Sequence, residues 1–177
     1  MSCQRPEVVS VPMSDTVTIR PATHEDADFL RSVRNEPAVA AASRNTQLVD
    51  EESHLEWLGS SLASSVRRLF IVCADGKPIG QARLDIANDG EWVSIAFVDG
   101  QRGHGHGTKV LRTLQRLAHG DLLAEIKSGN SSSLALFHRA GFEDWVSVDG
   151  FAQLKWTYAP DLIAERTSEV RVGEHAD

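Results

Sequence analysis

The sequence predicts an α+β fold of about seven strands and about four helices, with several strands linked as hairpins. Three observations carry this. Strand-length apolar or alternating runs are joined by tight turns, "DGKP" after Ala74 and "NDGE" after Ala87, too short for a crossover. Amphipathic helical patterns separate the first strand from that antiparallel block. A glycine-rich loop and a helix then intervene before the next strand, and a hairpin closes the pattern.

Residues 16–22, "TVTIRPA", alternate as a strand. In residues 24–35, Ala27, Leu30 and Val33 share one helical face, with Thr23 as N-cap, Asp26 completing a capping box and Pro37 as the stop. Residues 52–66 form a second helix with a Leu55–Leu58–Leu62–Val66 stripe, and His54, Trp57 and Ser61 fall on a different face. "RLFIVCA" (68–74) is apolar on both faces, as a central strand is. "IGQARLDIA" (79–87) and "WVSIAFV" (92–98) are the next two strands. A helix follows over 106–119, then the strand "DLLAEIK" (121–127) and a short helix in "NSSSLALFHRAGF" (130–142). The hairpin turns at Asp149-Gly150. Residues 1–15 are a loose leader, 16–159 one domain, and 160–177 a charged tail.

The 177 residues suffice for one core, and 41% hydrophobic and 24% charged residues are globular proportions. No apolar run approaches a membrane span, and the first fifteen residues lack a signal-peptide core. A cytoplasmic, bacterial protein without membrane contact is expected. The two cysteines, Cys3 and Cys73, form no metal or disulfide motif. A net charge of −7 argues against nucleic acid.

The exception to that acidity is "GQRGHGHGTKVLRTLQRLAHG" (100–120), which contains no Asp or Glu but has Arg102, Lys109, Arg112 and Arg116. Glycines before a helix N-terminus make an anion cradle, since the first helical N–H groups are unpaired and carry partial positive charge. The spacing fits neither a P-loop nor a dinucleotide fingerprint. His104 and His106, two apart with no Cys or carboxylate near, make a poor metal pair, and no metal is expected.

Arg102-Gly103-His104-Gly105-His106-Gly107 matches R/Q-x-x-G-x-G/A, and Asn130, Ser133, Leu136, Phe137, Gly141 and Phe142 match a second element at the usual separation. On these motifs the chain resembles the GCN5-related N-acetyltransferase (GNAT) superfamily over about four-fifths of its length. The resemblance implies a mixed, mostly antiparallel sheet of about seven strands, flanked by about four helices and splayed between its fourth and fifth strands, with acetyl-CoA as cosubstrate in the split. It places the pyrophosphate on Arg102, Gly103, His104, Gly105, His106, Gly107 and Thr108, and the pantetheine arm on backbone groups of Phe97 and Val98. Asn130 and Phe137 then line the far side.

Two positions depart from the family. Its usual tyrosine acid is Phe137 here, and its fourth-strand glutamate falls at Trp92, with Glu91 one residue earlier. A strand bulge would bring Glu91 into register as the base; without one it points to the opposite face. His54 is the other candidate base. "VRNEP", "HLEWL" and "GQARLD" are similar to acetyltransferases of bacterial nucleotide-linked amino-deoxy sugars. That likeness implies a small amine acceptor with Arg34 on a nucleotide phosphate, His54 and Trp57 on the sugar, and Arg83 bordering the site. A protein N-terminal acetyltransferase of the ribosomal-protein type is the alternative. A non-catalytic acyl-CoA-binding domain is the alternative of another class, and homodimerisation stays open.

Overall fold

The computed structural model describes residues 16–160. The expected leader, with Cys3, and the tail beyond Pro160 lie outside the described residues. The chain runs β1 (Val17–Pro21), α1 (Ala27–Asn35), α2 (Pro37–Ala42), α3 (Glu51–Ala63), β2 (Arg67–Ala74), β3 (Lys77–Ala87) and β4 (Gly90–Phe97). It continues through α4 (His106–Leu117), β5 (Leu122–Lys127), α5 (Ser131–Arg139), β6 (Glu143–Val148) and β7 (Phe151–Trp156). The seven strands form one sheet in the order β1-β2-β3-β4-β5-β7-β6, and only β4–β5 is parallel.

Thr23 and Asp26 form the expected capping box around a short 3-10 turn before α1. Pro37 does not merely stop α1: it occupies the first turn of α2, where a missing N–H is harmless. This fifth helix was not read from the sequence. Asp149 and Gly150 take φ of 50° and 78°, both left-handed, as a two-residue hairpin turn requires.

Alternate residues of the strands feed two cores. Val72, Ala82, Leu84 and Val93 pack with Val110, Leu111 and Leu114 of α4 and Phe137 of α5. Leu69, Ile71 and Cys73 pack on the other face with Leu30 of α1 and Leu58 of α3. The expected stripe on α3 holds for Leu58, which is buried, and Leu62, which packs on the same core. It is corrected at Leu55, 48% exposed, and at Val66, 55% exposed and beyond the end of the helix, while His54 and Ser61 are buried. The helix is rotated so that its polar residues face inward.

The feature that positions the site is a break in the sheet. β4 and β5 pair at only three positions, Glu91↔Leu122, Trp92↔Leu123 and Val93↔Ala124. Beyond Val93 the strands part. Glu91 secures the closed end: its carboxylate is buried, pairs with Arg68 of β2 and accepts the His119 N–H after α4. Arg68 also donates to the Leu117 carbonyl, at 3.0 Å.

Breaking a buried pair leaves an uncompensated charge. Glu91→Gln should therefore destabilise the fold by about 2 kcal/mol, less than for a fully buried pair because Arg68 is partly exposed. Urea denaturation reads this directly, and an unchanged midpoint would deny Glu91 its clamping role.

Candidate active site

The open edge of β4 follows from the ladder. The Glu91 N–H bonds the Asp121 carbonyl on the β5 side, at 2.9 Å, and the Val98 N–H bonds the Ile79 carbonyl on the β3 side, at 3.0 Å. By strand alternation the backbone groups of Ile95 and Phe97 point into the split. The Phe97 carbonyl accepts from Arg102, at 3.0 Å. The Val98 carbonyl accepts the Gln101 N–H, at 3.2 Å. Both Val98 groups therefore have partners, and the open backbone edge belongs to Ile95 and Phe97. Ile95 was missed because no side chain marks a backbone contact.

The glycine loop sits at the mouth of this edge. Gly103 and Gly105 take φ of 81° and 80°, a region that other residues adopt with strain, and Gly105 is the N-cap of α4. The first helical bond runs from the Lys109 N–H to the Gly105 carbonyl, so the His106, Gly107 and Thr108 N–H groups precede it. Gly107 has a different reason to be glycine: a Cβ there would lie 2.6 Å from Leu136 Cδ2, so the Leu136 side chain would have to move where α4 meets α5. His104 bonds the Gly100 carbonyl, at 3.1 Å. His106 is buried between His104 and Phe97, and its Nδ1 has no partner. This cradle of N–H groups, left-handed glycines and an unpartnered imidazole fits a pyrophosphate.

Asn130 caps α5, its Oδ1 accepting the Ser133 N–H at 3.2 Å. Phe137 packs edge to face on Phe142 in the α4-side core and offers no proton. The β3–β4 register is unbroken, Asp85↔Trp92 and Ile86↔Glu91, so no bulge brings Glu91 round. Its carboxylate faces α4 and is held by Arg68 and His119. The structure removes Glu91 from the acceptor face, and with it the expected role as base.

On that acceptor face lies a cavity of roughly 280 Å³, lined by Leu30, Arg34, Asn45, Val49, His54, Trp57, Gln81 and Arg83. It brings together all four residues expected to meet the acceptor, Arg34, His54, Trp57 and Arg83. Gln81 pairs with Ala96 and Arg83 with Ser94, so the floor lies one strand from the split, about 5 Å. Three of the lining residues hold a buried polar atom without a protein partner: Arg34 Nη1, His54 Nε2 and Gln81 Oε1. Arg83 Nε pairs with Asp85 Oδ2 at 2.7 Å. Leaving such a group without water or a ligand costs about 1–3 kcal/mol.

The cavity is cationic. Arg34 and Arg83 line it, Arg67 stands behind against Asp85 and Ser61, and Asp85 is the carboxylate shared by Arg67 and Arg83. Burial lowers the Arg83 pKa, with Arg67 pushing the same way and Asp85 opposing. Burial also holds the His54 imidazole below its usual range, opposed by the Ala27 backbone hydrogen bond and Asp28 and reinforced by Arg31. A neutral imidazole with a bare Nε2 in the wall of this cavity has the state a general base needs.

The family description "Acetyltransferase (GNAT) domain" matches residues 16–143, and the chain belongs to that family. A curated relative, a putative phosphinothricin acetyltransferase of Bacillus subtilis, is 24% identical over 160 residues, covering 78% of this chain and 91% of that one. Among solved structures, a spermidine N-acetyltransferase from Vibrio cholerae bound to CoA and spermine aligns with TM-score 0.73 and 14% identity, over 82% of this chain and 98% of that one. An aminoglycoside acetyltransferase bound to coenzyme A and kanamycin aligns with TM-score 0.69 and 24% identity, over 86% and 99%. The protein is thus an acyltransferase of the GNAT fold, with acetyl-CoA as cosubstrate. No helix among the described residues is long and apolar enough to cross a membrane.

A Cβ at Gly105 would meet no protein atom within 4 Å, so a substitution there meets first the left-handed φ and whatever occupies the cradle. Gly105→Val should weaken CoA binding at least tenfold, about 1.4 kcal/mol or more, through steric exclusion and lost N–H contacts. Calorimetry with CoA measures it; an unchanged affinity would move the pyrophosphate elsewhere.

Proposed function

We propose that this enzyme transfers the acetyl group of acetyl-CoA to a small primary amine carrying an anionic group. The nucleotide-linked amino-deoxy sugar suggested by the sequence is one such molecule. The observation that carries the reading is the cavity wall, where Arg34 holds an unpartnered guanidinium nitrogen, Arg83 shares one carboxylate with Arg67, and Gln81 and His54 hold unpartnered acceptors. An anion answers the first pair and an ammonium or amine N–H the second. Trp57, its ring 5.4 Å from that of His54, offers an apolar face to the body of the substrate.

The charge pattern also argues against polycationic acceptors. Spermine and kanamycin, bound by the two solved neighbours, would meet like charge at Arg34 and Arg83. Phosphinothricin, named for the Bacillus relative, carries acidic groups beside its amine and suits them better.

The reaction needs the amine neutral. His54 Nε2 accepts the proton as nitrogen attacks the acetyl carbonyl, the C–S bond breaks, and the thiolate leaves. Phe137 supplies no acid, so the thiolate is protonated from solvent or by the proton the amine sheds.

The acceptor class is read by following CoA release with a UDP-linked amino-deoxy sugar, the free amino sugar, phosphinothricin, spermine and a peptide with a free N-terminus. Anion-bearing amines should have the higher kcat/KM, and Arg83→Gln should raise their KM roughly tenfold with little change in KM for acetyl-CoA. Preference for spermine would overturn the reading, and turnover of the peptide alone would replace it with N-terminal acetylation. No turnover with any amine would leave a non-catalytic acyl-CoA-binding domain.

The pH profile tests the base. A base works only when deprotonated, and burial holds the folded His54 pKa below the ordinary imidazole range. The acid limb of kcat/KM should therefore lie on the acid side of that range, and His54→Gln should abolish it along with most of the rate. An acid limb that survives in the variant assigns the proton to another group.

A further inference from the structure

The segment between α1 and α3 is anchored at both ends, on opposite sides of the split. On the β5–β7 side, Lys127 Nζ donates to the Ala41 carbonyl at 3.1 Å. Arg44 places Nε and Nη2 on the two oxygens of Glu125, each at 2.6 Å, and lies 4.4 Å over the Phe151 ring. Gln153 supports the same carboxylate from β7, at 3.2 Å. On the β1–β4 side, Arg34 Nη2 donates to the Asn45 carbonyl at 2.7 Å. Asn35 exchanges two hydrogen bonds with the Val49 backbone, at 2.9 and 2.8 Å. Asn45 and Val49 are themselves part of the cavity wall.

The two halves of the sheet share three ladder pairs at one end, and Glu125 is the residue immediately after the last of them, Ala124. Residues 41–49 are therefore a second connection between the halves, made by side chains where the ladder has ended. A bidentate Arg–carboxylate fork stacked on an aromatic ring has fixed direction, unlike a Lys pair. It fixes the position of Asn45, the next residue, and so of one wall of the cavity.

We propose that residues 41–49 form a strap across the open split, with Arg44 and Glu125 as its positioning pair. The strap completes the acceptor cavity and shields the reacting thioester from water. This rests on the reading that acetyl-CoA occupies the split. Arg44 and Glu125 act through the strap, not on the substrates.

Water is the competing acceptor. In the unwanted reaction its oxygen bonds to the acetyl carbon, the C–S bond breaks, and acetate and CoA thiol leave with the protons of water. The test needs only acetyl-CoA. Arg44→Ala should raise thiol release from acetyl-CoA, without any amine present, roughly tenfold. Hydrogen exchange at residues 43–49 should quicken in the same variant, while CoA affinity stays within about twofold and the unfolding midpoint within about 4 °C. Arg44→Lys should restore little, since one ammonium cannot make the fork. The double variant Arg44→Glu with Glu125→Arg should recover slow exchange and slow hydrolysis. Unchanged exchange at 43–49 in Arg44→Ala overturns the strap, whatever the cofactor does. Quickened exchange with unchanged hydrolysis retains the tether and overturns its shielding role. Failure of the unaltered protein to bind CoA overturns the reading of the split instead, and exchange without ligand still decides the tether.

Discussion

Everything at this site depends on the ladder between β4 and β5 ending at Val93↔Ala124. A sheet normally continues wherever two strands run side by side, because an unpaired backbone edge leaves N–H and C=O groups without partners. Here it stops after three pairs, and the neighbouring groups are arranged around that stop. Glu91, Arg68 and the His119 N–H hold the closed end. Arg102 occupies one carbonyl of the open end, that of Phe97. What remains exposed along β4 is a short run of backbone, bounded by the cradle at the head of α4.

Charge follows the same division. The acid-free stretch around α4 lies at the mouth of the split, where a pyrophosphate belongs. The second cationic cluster, Arg34, Arg67 and Arg83, lies on the other face with a single carboxylate, Asp85, shared by two of the three. Asp85 holds two arginines in place while neutralising only one charge. The same burial that lowers the Arg83 and His54 pKa values strengthens any hydrogen bond a ligand makes there.

How much of this was legible in the sequence depended on how local the signal was. Asp149-Gly150, the Thr23–Asp26 box and the glycines at 103 and 105 are set by the backbone conformation of a few residues, and composition shows them. The cofactor motifs were legible for the same reason. The face of α3 was not. Four apolar residues at helical spacing pointed to a Leu55–Val66 stripe, but the buried side is built from His54, Leu58 and Ser61, because α3 also walls a polar cavity. Glu91 was misplaced because one carboxylate in a strand has two faces to choose from, and only the register with β3 decides. Arg44 and Glu125 left no trace, lying 81 residues apart on a loop and a strand that only the folded chain brings together.

The rotation of α3 and the unpartnered wall atoms have one explanation. A helix that buried Leu55 and Val66 would close over an apolar core and leave no cavity. By turning His54, Trp57 and Ser61 inward, the chain trades apolar burial for a lined space with polar atoms in its wall. Ser61 shows the trade in a single contact: its hydroxyl accepts from Arg67 Nη1 at 2.9 Å, and Arg67 in turn holds Asp85 against Arg83. A leucine at that position would satisfy the helix and release the arginine. The cationic floor of the cavity thus depends on a polar residue that a stability-driven sequence would not place on the inner face of a helix.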